Sequence, residues 1–294
     1  MQAAPEKQGD FVSIAVIGDL HDHWNDFDLA FLNASDYDLV LFVGDLGRGE
    51  AASRRISKSI AQLELPTLVM PGNADAPHGS RLAAEFSVRR GVHRLLDDES
   101  PAGNPGAEGV RLCGYSLHRP GFEACDFTII AGRPYSMGGP ELSFAPELHG
   151  RFGLASMEDS AERLCSLVDQ AETEALIFLA HNGPHGLGTS PADIWGCDFL
   201  PEPADWGDPD LELAIQHAKQ KGHVVLAVVA GHMHLVTRGS GSERAWLRRE
   251  EGTLYVNPAR VPRITNRGGA EAHHHVALRV AAERAEAEEI FVSA

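Results

Sequence analysis

The sequence predicts a layered α/β fold, and three observations carry that reading. Short apolar, β-branched runs recur along the chain, helical patterns stand between several of them, and five of the runs end on a glycine, acid, amide or histidine. Runs that are apolar throughout read as strands buried on both faces, which requires a sheet covered by helices. In such folds ligands bind beyond the strand ends.

In chain order, Val12–Ile17 runs into Gly18-Asp19, and a helical pattern follows over Asn25–Asn33. Leu39–Val43 runs into Gly44-Asp45 and is followed by a helical pattern over Ala51–Leu63. Thr67–Met70 leads into Pro71-Gly72-Asn73. Pro101–Gly109 is a proline- and glycine-rich loop, and Arg133–Gly153 has the composition of a long connection over the active face. A helix is predicted over Met157–Ala171, then a strand over Ala175–Ala180 that ends at His181. The irregular segment Asp193–Asp210 follows, with six acids, no bases and the aromatics Trp195, Phe199 and Trp206. A helix over Leu211–Lys221 precedes the strand Val224–Ala230, which ends at Gly231-His232. The late runs Thr253–Asn257, Val276–Val280 and Glu289–Ser293 are expected to be strands of a second sheet layer. The histidine run His273-His274-His275 reads as a surface turn before a strand. No linker divides the chain, so residues 10–294 are expected to form one domain, with long loops at 133–153 and 193–210 and a disordered segment at 1–9.

Composition narrows the function. With 25 basic and 42 acidic residues among 294, the net charge is -17, which repels a long phosphate backbone and argues against broad nucleic-acid binding. Cys113, Cys125, Cys165 and Cys197 form no C-x-x-C pair, so they read as small buried thiols in a reducing compartment. The N-terminus lacks a basic start followed by an apolar run, and the longest apolar run, Val224 to Ala230, is too short to span a bilayer. A soluble, cytoplasmic protein without membrane contact is therefore expected.

The chemistry sits at the strand ends. Asp19-Leu20-His21 places a carboxylate and an imidazole one residue apart in a turn, and His232-Met233-His234 does the same with two imidazoles. Asp45, Asn73 and His181 each stand just beyond a strand. Each piece alone has a plain alternative: a Gly-Asp after a strand is usually a turn or a cap, and a lone histidine is usually a hydrogen-bonded core or surface residue. Five pieces in order are a stronger signal. Oxygen and imidazole donors without thiolate suit manganese, iron or zinc, two ions in all, better than a structural zinc site.

This ordered set resembles the calcineurin-like metallophosphoesterase family, whose pattern is D-x-H, G-D, G-N-H-D/E, a lone H and G-H-x-H. Here it stands as Gly18-Asp19-Leu20-His21, Gly44-Asp45, Gly72-Asn73-Ala74-Asp75, His181-Asn182-Gly183-Pro184 and Gly231-His232-Met233-His234. The segment Tyr255–Arg260 is similar to the family's N-P-G-S stretch, departing from it at Ala259 and Arg260. The resemblance implies a four-layer α/β/β/α sandwich of two mixed sheets flanked by helices. It also implies that Asp19, His21 and His234 hold one metal, that Asn73, His181 and His232 hold the other, and that Asp45 bridges them. Asp45, Asn73 and His181 are the residues expected to carry catalysis.

The departure is Ala74, where family phosphatases commonly carry a histidine that protonates the leaving oxygen or steadies the transition state. Without a general acid, which is worth about 10²–10⁴-fold, phosphodiesters and activated monoesters are favoured over alkyl monoesters. His23, His78 and His185 stand near ligand positions as possible substitutes, each with an exposed or capping role as the alternative. Arg48, Arg133, Arg260 and Arg263 are candidates to hold the remaining phosphate charge. The expected substrate is a small phosphate ester of modest negative charge, its ring stacked on the aromatics of Asp193–Asp210; the alternative is a solvated loop whose tryptophans pack on the body. The competing function is a catalytically weak scaffold of this fold that binds a protein partner.

Overall fold

The computed structural model describes residues 11–78, 109–238 and 241–294. The N-terminal segment 1–9 and nearly all of the Pro101–Gly109 loop lie outside these residues.

Thirteen strands among the described residues form two sheets. In the first sheet, β1 (Val12–Ile17), β2 (Leu39–Phe42), β3 (Thr67–Val69) and β4 (Val110–Leu112) run parallel. The long strand β12 (Ala270–Ala281) pairs antiparallel with β1 from Val276 to Val280 and with β11 (Ile264–Arg267) from Ala270 to His273. β13 (Arg284–Ser293) takes the other edge of β12. The second sheet has the order β5 (Ser116–His118), β6 (Phe127–Ala131), β7 (Ala175–Asn182), β8 (Val224–Gly231), β10 (Thr253–Val256), β9 (Leu247–Glu250). Its four central strands are parallel and its two edge pairs antiparallel, so both sheets are mixed.

Strand alternation sorts the apolar side chains into layers. Ile14 and Val16 of β1, Leu39 and Leu41 of β2, and Ile129, Ile177, Leu179, Ala227 and Val229 of the second sheet fill one core between the sheets. Their alternates face outward: Ala15, Ile17, Val40 and Phe42 meet Leu32, Ile56 and Ile60 of helices α1 (Asp26–Asn33) and α2 (Glu50–Ile60). On the far side, Ile130, Leu176, Phe178 and Val228 meet Leu164, Val168, Leu211 and Ile215. Those four belong to helices α4 (Met157–Asp169) and α5 (Pro209–Gln220). A central strand needs both faces apolar, which is why β7 reads as one unbroken run. The result is the four-layer α/β/β/α sandwich. Capping boxes at Asn25 and Ser156 start α1 and α4, and Pro209 opens α5.

Four expectations change. The stretch 133–153 contains the helix α3 (Ala145–Phe152). The late strands divide between the sheets, since β10 extends the second sheet while β12 and β13 extend the first. Asp210, assigned to the irregular segment, lies in the first turn of α5. His273, His274 and His275 form no surface turn; they are buried inside β12. There His273 meets Asp28, His274 meets Glu289 and His275 bonds the Tyr37 hydroxyl. Strands β4, β5, β6, β9 and β11 have no counterpart in the sequence reading.

Candidate metal centre

All seven predicted ligands meet where the strands of the two sheets end. His21 Nε2 stands 3.1 Å from His234 Nε2 and 3.3 Å from Asp45 Oδ2, while His234 Nε2 stands 3.5 Å from Asp19 Oδ2. A second group adjoins the first: His181 Nε2 lies 2.9 Å from Asn73 Oδ1, 3.2 Å from His232 Nδ1 and 3.6 Å from Asp45 Oδ1. Asp45 thus stands between two nests of donors and turns one carboxylate oxygen towards each.

The backbone is strained to achieve this. His21, Asp45 and His232 adopt left-handed conformations with φ of 40°, 50° and 64°. Such residues cost on the order of 1–3 kcal/mol each and cluster at functional sites. Glycine is required beside them. Gly44 has φ 113°, and a Cβ there would run into the Gly72 backbone. A Cβ on Gly72 would strike the Asp45 carboxylate and stand 2.6 Å from the His181 ring.

Hydrogen bonds orient the donors. His181 Nδ1 donates to the Val43 carbonyl at 2.6 Å, a group that can only accept, so Nε2 presents a lone pair in the neutral ring. The Ala74 N–H donates to Asp45 Oδ1 at 2.8 Å and the His21 N–H to the Asp45 carbonyl at 2.8 Å. Asp75 is fully buried and accepts from the N–H groups of Leu46 and Gly72. Burial, with Asp45 beside it, pushes its carboxyl up to about 7 against those two bonds.

The electrostatics fit a cation. Burial raises the Asp19 carboxyl, but the adjacent imidazoles of His234 and His181 outweigh it and hold the group below the usual carboxylate range. Burial resists charge on His181, yet Asp45 and Asp19 win and raise it. Burial, with His181 adjacent, depresses His232 to about 3, and burial also lowers His21. Asp19 Oδ2 is buried without a hydrogen-bond partner, in a set of nitrogen and oxygen atoms within 4.8 Å of one another. An unpartnered carboxylate oxygen facing converged imidazoles is the donor set that a divalent ion satisfies.

A sequence profile of calcineurin-like phosphoesterases matches residues 12–236. The chain belongs to the calcineurin-like phosphoesterase family. One crystal structure superposes on this phosphoesterase with a TM-score of 0.56 at 14% identity, covering 95% of this chain and 99% of its own. A phosphopantetheinyl hydrolase from Mycobacterium tuberculosis is similar at TM-score 0.44 and 14% identity, covering 85% of this chain and 89% of its own. Vacuolar protein sorting 29 from Cryptosporidium parvum is similar at 0.35 and 10%, covering 97% and 100%. No curated protein sequence matches significantly.

Several candidate partners of the phosphoesterase centre lie elsewhere. Arg133 is buried against Asp208 and Asp210, Arg263 against Asp28, and Arg260 pairs with Glu243 and Glu289. Only Arg48 of the four is exposed near the centre, close enough to depress His21. His185 pairs with Glu212 at 3.1 Å and does not line the cleft. The residue that sequence reasoning missed is Arg238, which lines the cleft together with His21, Asp45, Asn73, His232 and His234. Its N–H bonds Asp198 Oδ2 at 2.7 Å, across 40 positions of sequence, and no local signal announces that contact.

Proposed function

We propose that this chain hydrolyses small phosphate esters with a dinuclear centre of manganese, iron or zinc, favouring phosphodiesters or activated monoesters. The observation that carries the proposal is Asp45, buried, with Oδ2 towards the Asp19–His21–His234 group and Oδ1 towards the Asn73–His181–His232 group. Two divalent ions held there would supply Lewis acidity and an acidified water. Asp45, Asn73 and His181 would carry catalysis by fixing the ions relative to one another. Arg238 at the cleft, and the exposed Arg48 near His21, supply positive charge for phosphoryl oxygens left over.

The preference rests on Ala74. Its N–H is engaged by Asp45 and its methyl group donates no proton, so leaving groups that depart unaided are favoured. The cleft encloses about 170 Å³. That is below the roughly 300–1,000 Å³ of pockets for drug-sized ligands. Size and the net charge of -17 both support a small substrate over a long nucleic acid. Among the described residues no helix is long and apolar enough to cross a membrane.

The test is metal analysis with a hydrolysis panel of monoesters, diesters and cyclic nucleotides, run on the wild type and on Asp45→Asn. Two ions per chain are expected in the wild type. The variant should lose metal at both positions and turnover by orders of magnitude, because the bridge is shared. Full occupancy and normal turnover in Asp45→Asn would overturn the assignment, and bound metal without any ester cleavage would favour a scaffold.

A further inference from the structure

Besides the predicted ligands, Asp198, Phe199, Val236 and Arg238 line the cleft. Phe199 is 41% exposed and Val236 48% exposed. Single exposed hydrophobics are ordinary. Phe199 differs because it is held still. Its ring packs edge-on against Trp206, with centroids 4.8 Å apart at 84°, and the Trp206 indole N–H is fixed on the Met137 carbonyl at 2.7 Å. The Arg238 guanidinium lies 5.8 Å from the centroid of the Phe199 ring. The preceding Asp198 is clamped by Arg244 at 3.2 Å, and Arg244 also bonds the carbonyl of the ligand His234 at 3.1 Å. A loop without regular structure therefore presents one aromatic ring at a position tied to the metal centre.

The other groups of the segment are occupied. Trp195 is fully buried against Tyr255. Asp193 and Asp205 bond backbone N–H groups, and Asp208 and Asp210 pair with Arg133. Five of the six acids of the segment are thus engaged by N–H groups or arginines, while Glu202 is exposed.

We infer that Phe199 is a specificity-determining residue, the platform on which an aromatic group of the substrate stacks while its phosphoryl group faces the metal ligands. The inference rests on the phosphoesterase reading and names the substrate class, aryl or similarly flat-ringed esters. A cleft of about 170 Å³ has room for one such ring and a phosphoryl group, not for a polymer. Offset or edge-to-face stacking on a ring already ordered adds affinity beyond area burial, about tenfold at most.

The experiment is calorimetric titration of the metal-loaded full chain with methylphosphonate, cyclohexylphosphonate and phenylphosphonate. The wild type should bind phenylphosphonate about tenfold more tightly than methylphosphonate and more tightly than cyclohexylphosphonate. Phe199→Ala and Phe199→Leu should both erase the aromatic advantage and leave methylphosphonate unchanged, and Phe199→Trp should retain it. Equal binding of phenyl and cyclohexyl ligands in the wild type, equal weakening of all three in Phe199→Ala, or no binding of any overturns the inference. If no ester is hydrolysed but the aromatic advantage exists and vanishes in Phe199→Ala, the hydrolase reading falls and this one stands. If esters are cleaved without ring preference, the reverse holds.

Discussion

Ala74 sits one position beyond Asn73, where a side chain could reach a leaving oxygen, and contributes only its N–H, to Asp45. Ala74→His keeps that N–H and adds a proton donor. Activity on alkyl monoesters should then rise about tenfold or more relative to aryl esters, since basic leaving groups gain most from general acid help. A panel of alkyl and aryl phosphates measures the ratio, and an unchanged ratio would mean that the imidazole does not reach. Arg238 is the complementary case. Its guanidinium forms no ion pair among the described residues, so Arg238→Gln should raise KM about tenfold for all phosphate esters with little change in kcat. A fall in kcat with KM unchanged would show that Arg238 acts on the transition state alone. The seven predicted ligands were legible in the sequence because each is a polar residue at the end of an apolar strand or within four residues after it, a position that local pattern reports. Arg238 was not, because a bond to Asp198 defines its place. The sequence also could not show that Arg133 and Arg263 are unavailable, since the acids that occupy them lie 75 and 235 positions away.

Strands and helices were read where their periodicity is self-contained. β1, β2, β7 and β8 are almost wholly apolar up to their ends because both faces are covered, and α1 and α4 begin on capping boxes visible as Asn25 and Ser156. β12 defeats that reading. His273, His274 and His275 are polar by type, yet Asp28 pairs with the first, Glu289 stands beside the second and Tyr37 bonds the third, all from other elements. The segment 205–210 shows the same thing from the acidic side. Arg133 bonds Asp208 at 2.9 Å and Asp210 at 2.9 Å, Ser160 donates to Asp210, and Ser136 and Asn182 donate to Asp208. These bonds fasten the start of α5 and the 133–139 loop to the end of β7, next to His181. Burial, with Asp210 nearby, raises Asp208 to about 6 even with Arg133 opposing. Arg133→Met removes that opposition and leaves two carboxylates buried without a cation. Loss of one partner of a buried ion pair costs about 3–5 kcal/mol, so Tm should fall by about 10 °C in a thermal melt. A shift of one or two degrees would mean that the hydroxyls and Asn182 suffice to hold the acids.

Across the molecule, buried groups titrate in opposite senses, and the balance sets how the fold responds to acid. Asp75, raised to about 7, and Asp208, raised to about 6, bind protons in the folded chain that the unfolded chain releases, so their contribution to stability falls as pH rises from the ordinary 3.8 through those values. His118 and His275 work the other way. Burial, with Arg111 near the first and Arg263 near the second, depresses both to about 3, so they stay neutral in the fold while the unfolded chain protonates them near 6.5. Stability from these two is intact above about 6.5 and is lost as pH falls towards 3. Because the two sets offset one another, the pH dependence of the wild type alone says little, and a comparison of variants isolates one group. His118 suits the comparison: it is fully buried in β5, Nε2 meets the Ser116 hydroxyl at 2.9 Å, and Nδ1 has no partner. His118→Gln removes the titration and keeps a polar side chain. Each pH unit below 6.5 costs the histidine chain about 1.4 kcal/mol that the glutamine chain does not lose. Urea unfolding of both should therefore show the penalty of His118→Gln shrinking by about 2 kcal/mol between pH 6.5 and about pH 5. Changes in metal affinity affect both chains alike and cancel in the difference. A penalty that stays constant with pH would mean that His118 takes up its proton in the folded protein, and that water reaches the edge of the second sheet.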